Sequence, residues 1–410
     1  MTRQRRYLSL VLIVLCTFQA FAGGRSSHLR LLYESHQWFR LREEVAQTKA
    51  SNFYRGVVAA VFNQQHEAEK LLQSVINAEP NSEQAYQARE LLVGVYSRNG
   101  RYREASNQVE AMLAHKPDSA GALNVRDLLR VLGQSPDQSV VEKKLTRVSI
   151  TTDDGNLVLP VAVDGVSARY ILDTGFNISG VSESEAKRLG LVVHDINTKA
   201  DSMTGAQVHV RVAVANSLVV GNMRLSHVAF VVLPDGQPPF NELPEDRRGI
   251  LGIPVLMALQ TLRWTRTELD TGFPTKHLNL RQANLSFEGT FPLAQVAFQG
   301  RPLQFTLDTG AQNTDLYPQF ARQFSEVLTS GQKELHTLTG VGGSADFESI
   351  VLPSLQFQVG RNNLDLQPAH VLMKETNSTS KWFAGNLGMD LLLQPAAVTL
   401  DFPSMRFTLQ

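Results

Sequence analysis

From about residue 145 to residue 410 the chain repeats itself at an offset of 135 residues. Val163-Asp164-Gly165-Val166 precedes Tyr170-Ile171-Leu172-Asp173-Thr174-Gly175, and at that spacing Phe298-Gln299-Gly300-Arg301 precedes Phe305-Thr306-Leu307-Asp308-Thr309-Gly310. Ser179 then aligns with Thr314, Val181 with Leu316, Ala186 with Ala321 and Thr204-Gly205 with Thr339-Gly340. Gly249-Ile250-Leu251-Gly252 is answered by Gly385-Asn386-Leu387-Gly388 with a slip of one residue. Landmarks held in register over such a length require two copies of one structural unit. Period-two alternation, β-branched residues and glycine-marked turns make that unit mainly β. In each copy a hairpin turns at the glycine, Gly165 or Gly300, and its return strand ends in Asp-Thr-Gly.

The front of the chain follows a different period. Between residues 27 and 134, apolar side chains recur three and four apart, as at Leu71, Leu72, Val75 and Ile76, which is the pattern of amphipathic helices. The turn signals Glu79-Pro80-Asn81-Ser82 and Lys116-Pro117-Asp118-Ser119 lie 37 residues apart, and the same offset carries Glu67 to Glu104 and Ala68 to Ala105. With Gly56 twelve residues before Ala68, and Tyr96 in place, this pair of repeats resembles tetratricopeptide units, although its period is three residues too long. Flanking helices are expected around Trp38 and Leu128. The resemblance implies a small solenoid that binds an extended peptide or a protein partner; a spacer without a ligand is the plainer reading of the same helices.

Residues 1–22 read as a signal peptide. Arg3, Arg5 and Arg6 precede an apolar run from Tyr7 that closes on Ala20-Phe21-Ala22, giving a positive start, a short apolar core and small residues at the cleavage site. The run is shorter than the roughly 20 residues of a membrane-spanning helix, so the expected product is exported, to the periplasm or the extracellular space, with no stable membrane span. The single cysteine, Cys16, falls inside this segment, so a mature chain would hold no disulfide, no thiol nucleophile and no cysteine-ligated zinc. Lys plus Arg and Asp plus Glu both number 39, and a chain of zero net charge lacks the basic surface that nucleic-acid binding requires. His-Glu-x-x-His, Gly-x-Ser-x-Gly and Walker A motifs do not occur. No cofactor and no metal is expected.

Two apolar strands ending in Asp-Thr-Gly, each followed by a glycine-bearing hairpin and a later apolar-Gly turn, resemble the aspartic proteases: one lobe is similar to a retropepsin subunit, and two lobes in one chain are similar to the pepsin-like arrangement. The resemblance covers residues 145–410. It implies a multidomain α plus mainly β chain: the α-helical repeat domain over residues 27–134, then a bilobal, pseudo-twofold β unit with lobe 1 at 145–265, a linker at 266–283 and lobe 2 at 284–410. Asp173 and Asp308 are implied as the catalytic pair. Two carboxyls brought together cannot both ionise, so they share a proton and offer an acid and a base to one water. Thr174 and Thr309 are expected to lock the two loops together. Gly175 and Gly310 allow the tight turn and place N–H groups near the carboxylates, with Ala311 as the small residue the pattern asks for next. Phe176 departs from that pattern, and a ring there would crowd the pair or reshape a subsite.

Thr204-Gly205 and Thr339-Gly340 occupy the place of the hairpin, or flap, over the cleft. Gly340 to Gly343 also allows a phosphate-binding loop, but that needs a following helix, whereas Ala345 to Leu352 reads as strand. A third Asp-Thr-Gly, Asp270-Thr271-Gly272, follows Arg266-Thr267-Glu268 rather than an apolar strand and is expected to be a turn in the linker with no catalytic part. The expected function is an aspartic endopeptidase acting on peptide or unfolded protein, with the helical domain recruiting substrate or a partner and no dimer needed to complete the site. The alternative is a non-catalytic peptide- or protein-binding scaffold.

Overall fold

The computed structural model describes residues 27–153, 155–201, 207–273, 279–377 and 379–410; the expected signal peptide lies outside them. The helical front end comprises α1 (27–34), α2 (Trp38–Gln47), α3 (Asn52–Val61), α4 (Gln65–Ala78), α5 (Glu83–Arg98), α6 (Tyr102–His115) and α7 (Ala120–Leu132). The two turns that repeat in the sequence each end in an N-cap serine: Ser82 Oγ accepts from the Ala85 N–H and Ser119 Oγ from the Ala122 N–H, satisfying amides that a helix start leaves without partners. Ala68 and Ala105 are fully buried where helices cross. A Cβ on Gly56 would lie 2.6 Å from Leu72 Cδ2, so α3 and α4 approach closely because that glycine has no side chain.

Three sheets follow. In the first, the strand Gly249–Leu251 lies between Val166–Leu172, to which it runs parallel, and Ser179–Ser182, to which it runs antiparallel; the latter pairs in parallel with Met223–Leu233. The second repeats this arrangement: Gly385–Leu387 lies parallel to Arg301–Leu307 and antiparallel to Asp315–Leu316, which runs parallel to Ala369–Leu372. Such strands, flanked on both sides and covered on their faces, account for the apolar runs that end in Asp-Thr-Gly. The two hairpins turn as expected. Asp164 and Gly165, and likewise Gln299 and Gly300, have positive φ at both positions, the backbone of a two-residue turn that follows the twist of its strands.

The third sheet joins the two copies. Its strands run in the order Thr146–Ser149, Glu268–Thr271, Thr261–Trp264, Val398–Asp401, Arg406–Leu409. The expected turn at Asp270-Thr271-Gly272 is therefore corrected: Asp270 and Thr271 end a strand inside this sheet, and part of the segment expected as a linker is sheet. The reason is charge pairing. Asp270 is 4 % exposed and takes a bidentate ion pair from Arg147 at 2.6 and 2.9 Å on the neighbouring strand, so a strand with little apolar alternation is held by its cross-strand partner.

The helical domain is packed against both β units. Arg98, 2 % exposed, donates to the carbonyls of Ala60 and Gly289 and stacks over the Phe287 ring. Arg42 donates to the Ala283 carbonyl, and Trp38 Nε1 to Glu288. On the other side α7 packs against the strand Val193–Asp201, and its Leu129 and Leu132 share one apolar cluster with Ile196, Val208, Val210 and Val212. No helix among the described residues is long and apolar enough to cross a membrane.

Candidate active site

Each Asp-Thr-Gly loop is held by its own sheet before it meets the other. The Asp173 N–H donates to the Leu251 carbonyl at 3.1 Å, and the Asp308 N–H to the Leu387 carbonyl at 3.0 Å. Beneath the loops, Ser179 Oγ accepts from the Gly252 N–H and Thr314 Oγ1 from the Gly388 N–H. A Cβ on Gly252 would stand 2.6 Å from the Phe176 carbonyl oxygen, so only glycine lets the later strand pass so close under the loop.

The two loops are tied by a reciprocal set of hydrogen bonds. Thr174 Oγ1 donates to the Leu307 carbonyl at 2.7 Å and accepts from the Thr309 N–H at 3.0 Å. Thr309 Oγ1 donates to the Leu172 carbonyl at 2.8 Å and accepts from the Thr174 N–H at 3.0 Å. Both threonines are fully buried. The four bonds cross from one copy of the repeat to the other and fix the distance between the loops.

That distance brings the carboxyls together. A Cβ on Gly175 would lie 2.5 Å from Asp308 Cγ, and one on Gly310 would run into the Asp173 carboxyl. The Gly175 N–H donates to Asp173 Oδ1 at 2.7 Å and the Gly310 N–H to Asp308 Oδ1 at 3.0 Å. Asp173 and Asp308 are therefore close neighbours, and two carboxyls so placed do not both ionise freely. Asp173 is held well above the usual carboxylate range, first by burial and then by the charge of Asp308. An acid and a carboxylate side by side can together activate one water and protonate the oxygen of the carbonyl whose carbon that water attacks.

The copies differ around this pair. Phe176 does not enter the space between the carboxyls. Its ring lies against Gly180, where an added Cβ would meet Phe176 Cε1 at 2.7 Å, and it packs on the apolar cluster that its unit shares with the helical domain. The second copy has Ala311 and Asp315 at these two places, so a ring followed by a glycine in one copy answers a small residue followed by a larger one in the other. Ala311 donates its N–H to Asp308 Oδ1 at 3.1 Å. One contact was not anticipated: Asn386 Nδ2 donates to Asp308 Oδ2 at 3.1 Å. Asn386 belongs to Gly385-Asn386-Leu387-Gly388, which in the sequence serves only as a landmark of the repeat.

Of the four hairpin residues, Thr204 and Gly205 lie outside the described residues. Thr339 and Gly340 lie at the tip of a hairpin formed by Gln332–Gly340 and Gly343–Leu352. Thr339 and Ser344 hydroxyls bond across the tip at 2.8 Å, and the Gly342 N–H donates to the Pro238 carbonyl in the first β unit at 3.2 Å. Asp270 lies away from this site, in the third sheet.

Residues 159–255 match the model of an aspartyl protease family. The match contains Asp173, Gly175 and Gly252 and ends before the second copy, whose likeness to the first rests on the internal repeat. Among solved structures, a retropepsin-like aspartic protease from Rickettsia conorii is similar at 18 % identity, covering 33 % of this chain and 96 % of its own length with a TM-score of 0.24. No curated protein matches the chain.

Proposed function

We propose that this chain is an exported aspartic endopeptidase in which Asp173 and Asp308 activate a water to hydrolyse peptide bonds in extended or unfolded substrates. The observation that supports this most is the reciprocal bonding of Thr174 and Thr309, which fixes two like-charged groups close enough to share a proton. Like charges would otherwise drive the loops apart, and a turn with no chemical task has no need of such bracing. The aspartyl protease match over residues 159–255 agrees with the role given to Asp173.

The hairpin tipped by Thr339 and Gly340 is the working flap in this reading. Its first strand is mostly exposed, with Leu335 71 % accessible, and its tip reaches Pro238 across the cleft. The strands Val193–Asp201 and Gln207–Val220 of the first unit have α7 packed on them and are the braced pair. A peptide under the free flap would be gripped as an added strand. The helical domain would present substrate or a partner from a fixed position, since it is bonded into the β units through Arg42 and Arg98. Both acids belong to one chain, so a monomer is competent.

Digestion of a peptide library tests the proposal. Asp173→Asn and Asp308→Asn should each abolish cleavage, while Asp270→Asn, which alters only the ion pairs with Arg147 and Arg263, should leave it. Full activity in either of the first two variants refutes the shared-proton mechanism. Failure of the wild type to cleave at acid and neutral pH would return the β units to the role of a binding scaffold.

A further inference from the structure

We propose that Asn386, oriented by Thr306, is a positioning residue that places the negative charge of the pair on Asp308 and the shared proton on Asp173. This rests on the reading of Asp173 and Asp308 as a working dyad. The argument begins with the strand register. Thr306 and Asn386 are neighbours across the parallel pair formed by Arg301–Leu307 and Gly385–Leu387. In the first copy the same register holds Ile171 and Ile250. An apolar pair buried in one copy is thus replaced by a polar pair buried in the other, with Thr306 7 % and Asn386 3 % exposed. A buried polar pair has no packing reason to replace two isoleucines and is unfavourable unless its hydrogen bonds are made.

Those bonds lead to one carboxyl. Thr306 Oγ1 lies 2.6 Å from Asn386 Oδ1 and donates to it, which fixes the amide so that its NH2 faces Asp308 Oδ2 at 3.1 Å. The orientation follows from chemistry: the amide oxygen can accept from the hydroxyl, and only the amide nitrogen can donate to a carboxylate. Asp308 then accepts the N–H of Gly310 and of Ala311 on Oδ1 and that of Asn386 on Oδ2. Asp173 accepts the Gly175 N–H on Oδ1, and in the first copy Ile250 has no further donor to offer it, so three donors on Asp308 face one on Asp173. Donors that converge on one carboxyl favour its charged form, so the neutral member of the pair is Asp173. The upward displacement of Asp173 by burial and by the Asp308 charge agrees with that assignment.

Water is then activated by a defined base. Asp308 takes the proton from the water as the oxygen attacks the carbonyl carbon, and Asp173 gives its proton to the carbonyl oxygen as the C=O π bond opens. The pair ends the step with its proton on the opposite carboxyl, and no other reactant is needed.

The test uses the full chain with the first-copy pair written into the second, Thr306→Ile with Asn386→Ile. The isoleucines fit the same register in the first unit, so the variant should fold; Asn386→Ile alone and Thr306→Ser complete the set. Removing the donor should raise the acid limb of the kcat/KM profile by about one pH unit, a tenfold change in one protonation equilibrium. The alkaline limb should stay in place, because Asp308 is charged on both sides of it. Thr306→Ser, which keeps the hydroxyl, should retain the wild-type profile. A uniform loss of rate with both limbs unmoved would assign Asn386 a purely structural part and overturn the inference. Carboxyl 13C titration of Asp-labelled wild type and variants gives the same answer without turnover. If the wild type cleaves nothing but the Asp308 resonance moves in Asn386→Ile, the peptidase reading fails and the inference on charge placement stands; if that resonance does not move, the inference fails whatever the protein cleaves.

Discussion

The contact between Phe176 and Gly180 makes the sharpest prediction about how this site tolerates its departure from the small-residue pattern. Gly180 lies in a strand without positive φ, so alanine there is compatible with the backbone and by itself would add roughly 0.5–1 kcal/mol of stability through a less flexible unfolded chain. The ring prevents that gain, since the new Cβ would stand 2.7 Å from Phe176 Cε1 and 3.1 Å from Cζ. Forcing a methyl into such a contact costs about 1–3 kcal/mol. Gly180→Ala should therefore destabilise the wild type by about 1 kcal/mol, yet stabilise a Phe176→Ala background, giving a coupling energy of about 2 kcal/mol. Urea unfolding of the four proteins in the cycle measures it. Activity provides a second readout: Phe176 directly follows Asp173-Thr174-Gly175, so displacing its ring should disturb that loop, and kcat/KM should fall in Gly180→Ala and recover when Phe176→Ala is added. Additivity within about 0.5 kcal/mol, or an activity loss that the second substitution does not relieve, would refute the reasoning.

Two further predictions follow from the same geometry. Thr309→Val keeps the shape but leaves the Thr174 N–H and the Leu172 carbonyl without their partner, so it should cost about 2–4 kcal/mol, with Thr309→Ser losing much less in the same unfolding assay. Asp173 also makes stability depend on pH. Its folded-state pKa is raised above the ordinary value of 3.8 by burial and by Asp308, so the folded state binds that proton more tightly than the unfolded one, and stability falls as pH rises through the folded value. Asp173→Asn, which keeps a neutral side chain throughout, should unfold near the wild-type temperature at about pH 4 and at a distinctly higher temperature at about pH 8; a difference that stays constant with pH would contradict the linkage.

The sequence was most legible where structure repeats. The 135-residue offset located both loops, both hairpin turns and the glycines beneath them, because a strand ending in a loop against a crossing backbone leaves few choices at Asp173, Gly175 and Gly252. The same offset held the explanation of Phe176, since the exchange of Phe176 and Gly180 for Ala311 and Asp315 could be read by aligning the copies. It also held Asn386, which differs from its counterpart Ile250 as Thr306 differs from Ile171, but a polar residue beside a recognised glycine gives no sign of which way it points. Asp270-Thr271-Gly272 reads as a turn in the sequence because the strand it ends, Glu268–Thr271, draws its stability from Arg147 and Arg263 on neighbouring strands, and ion pairs between strands leave no periodic signature. The docking of the helical domain was equally hidden: Arg98 looks like a solvent-facing position at the end of a helix, and only the assembled molecule shows its guanidinium against Phe287.

The sheet that unites the copies has a mechanical consequence. Thr261–Trp264 from one copy and Val398–Asp401 from the other are joined by continuous backbone pairing, with Asn63 of the helical domain also bonded to the Phe402 carbonyl. The two halves cannot yawn apart like jaws without tearing that seam. Room for a long, unfolded guest must come instead from release of the Gly342–Pro238 latch.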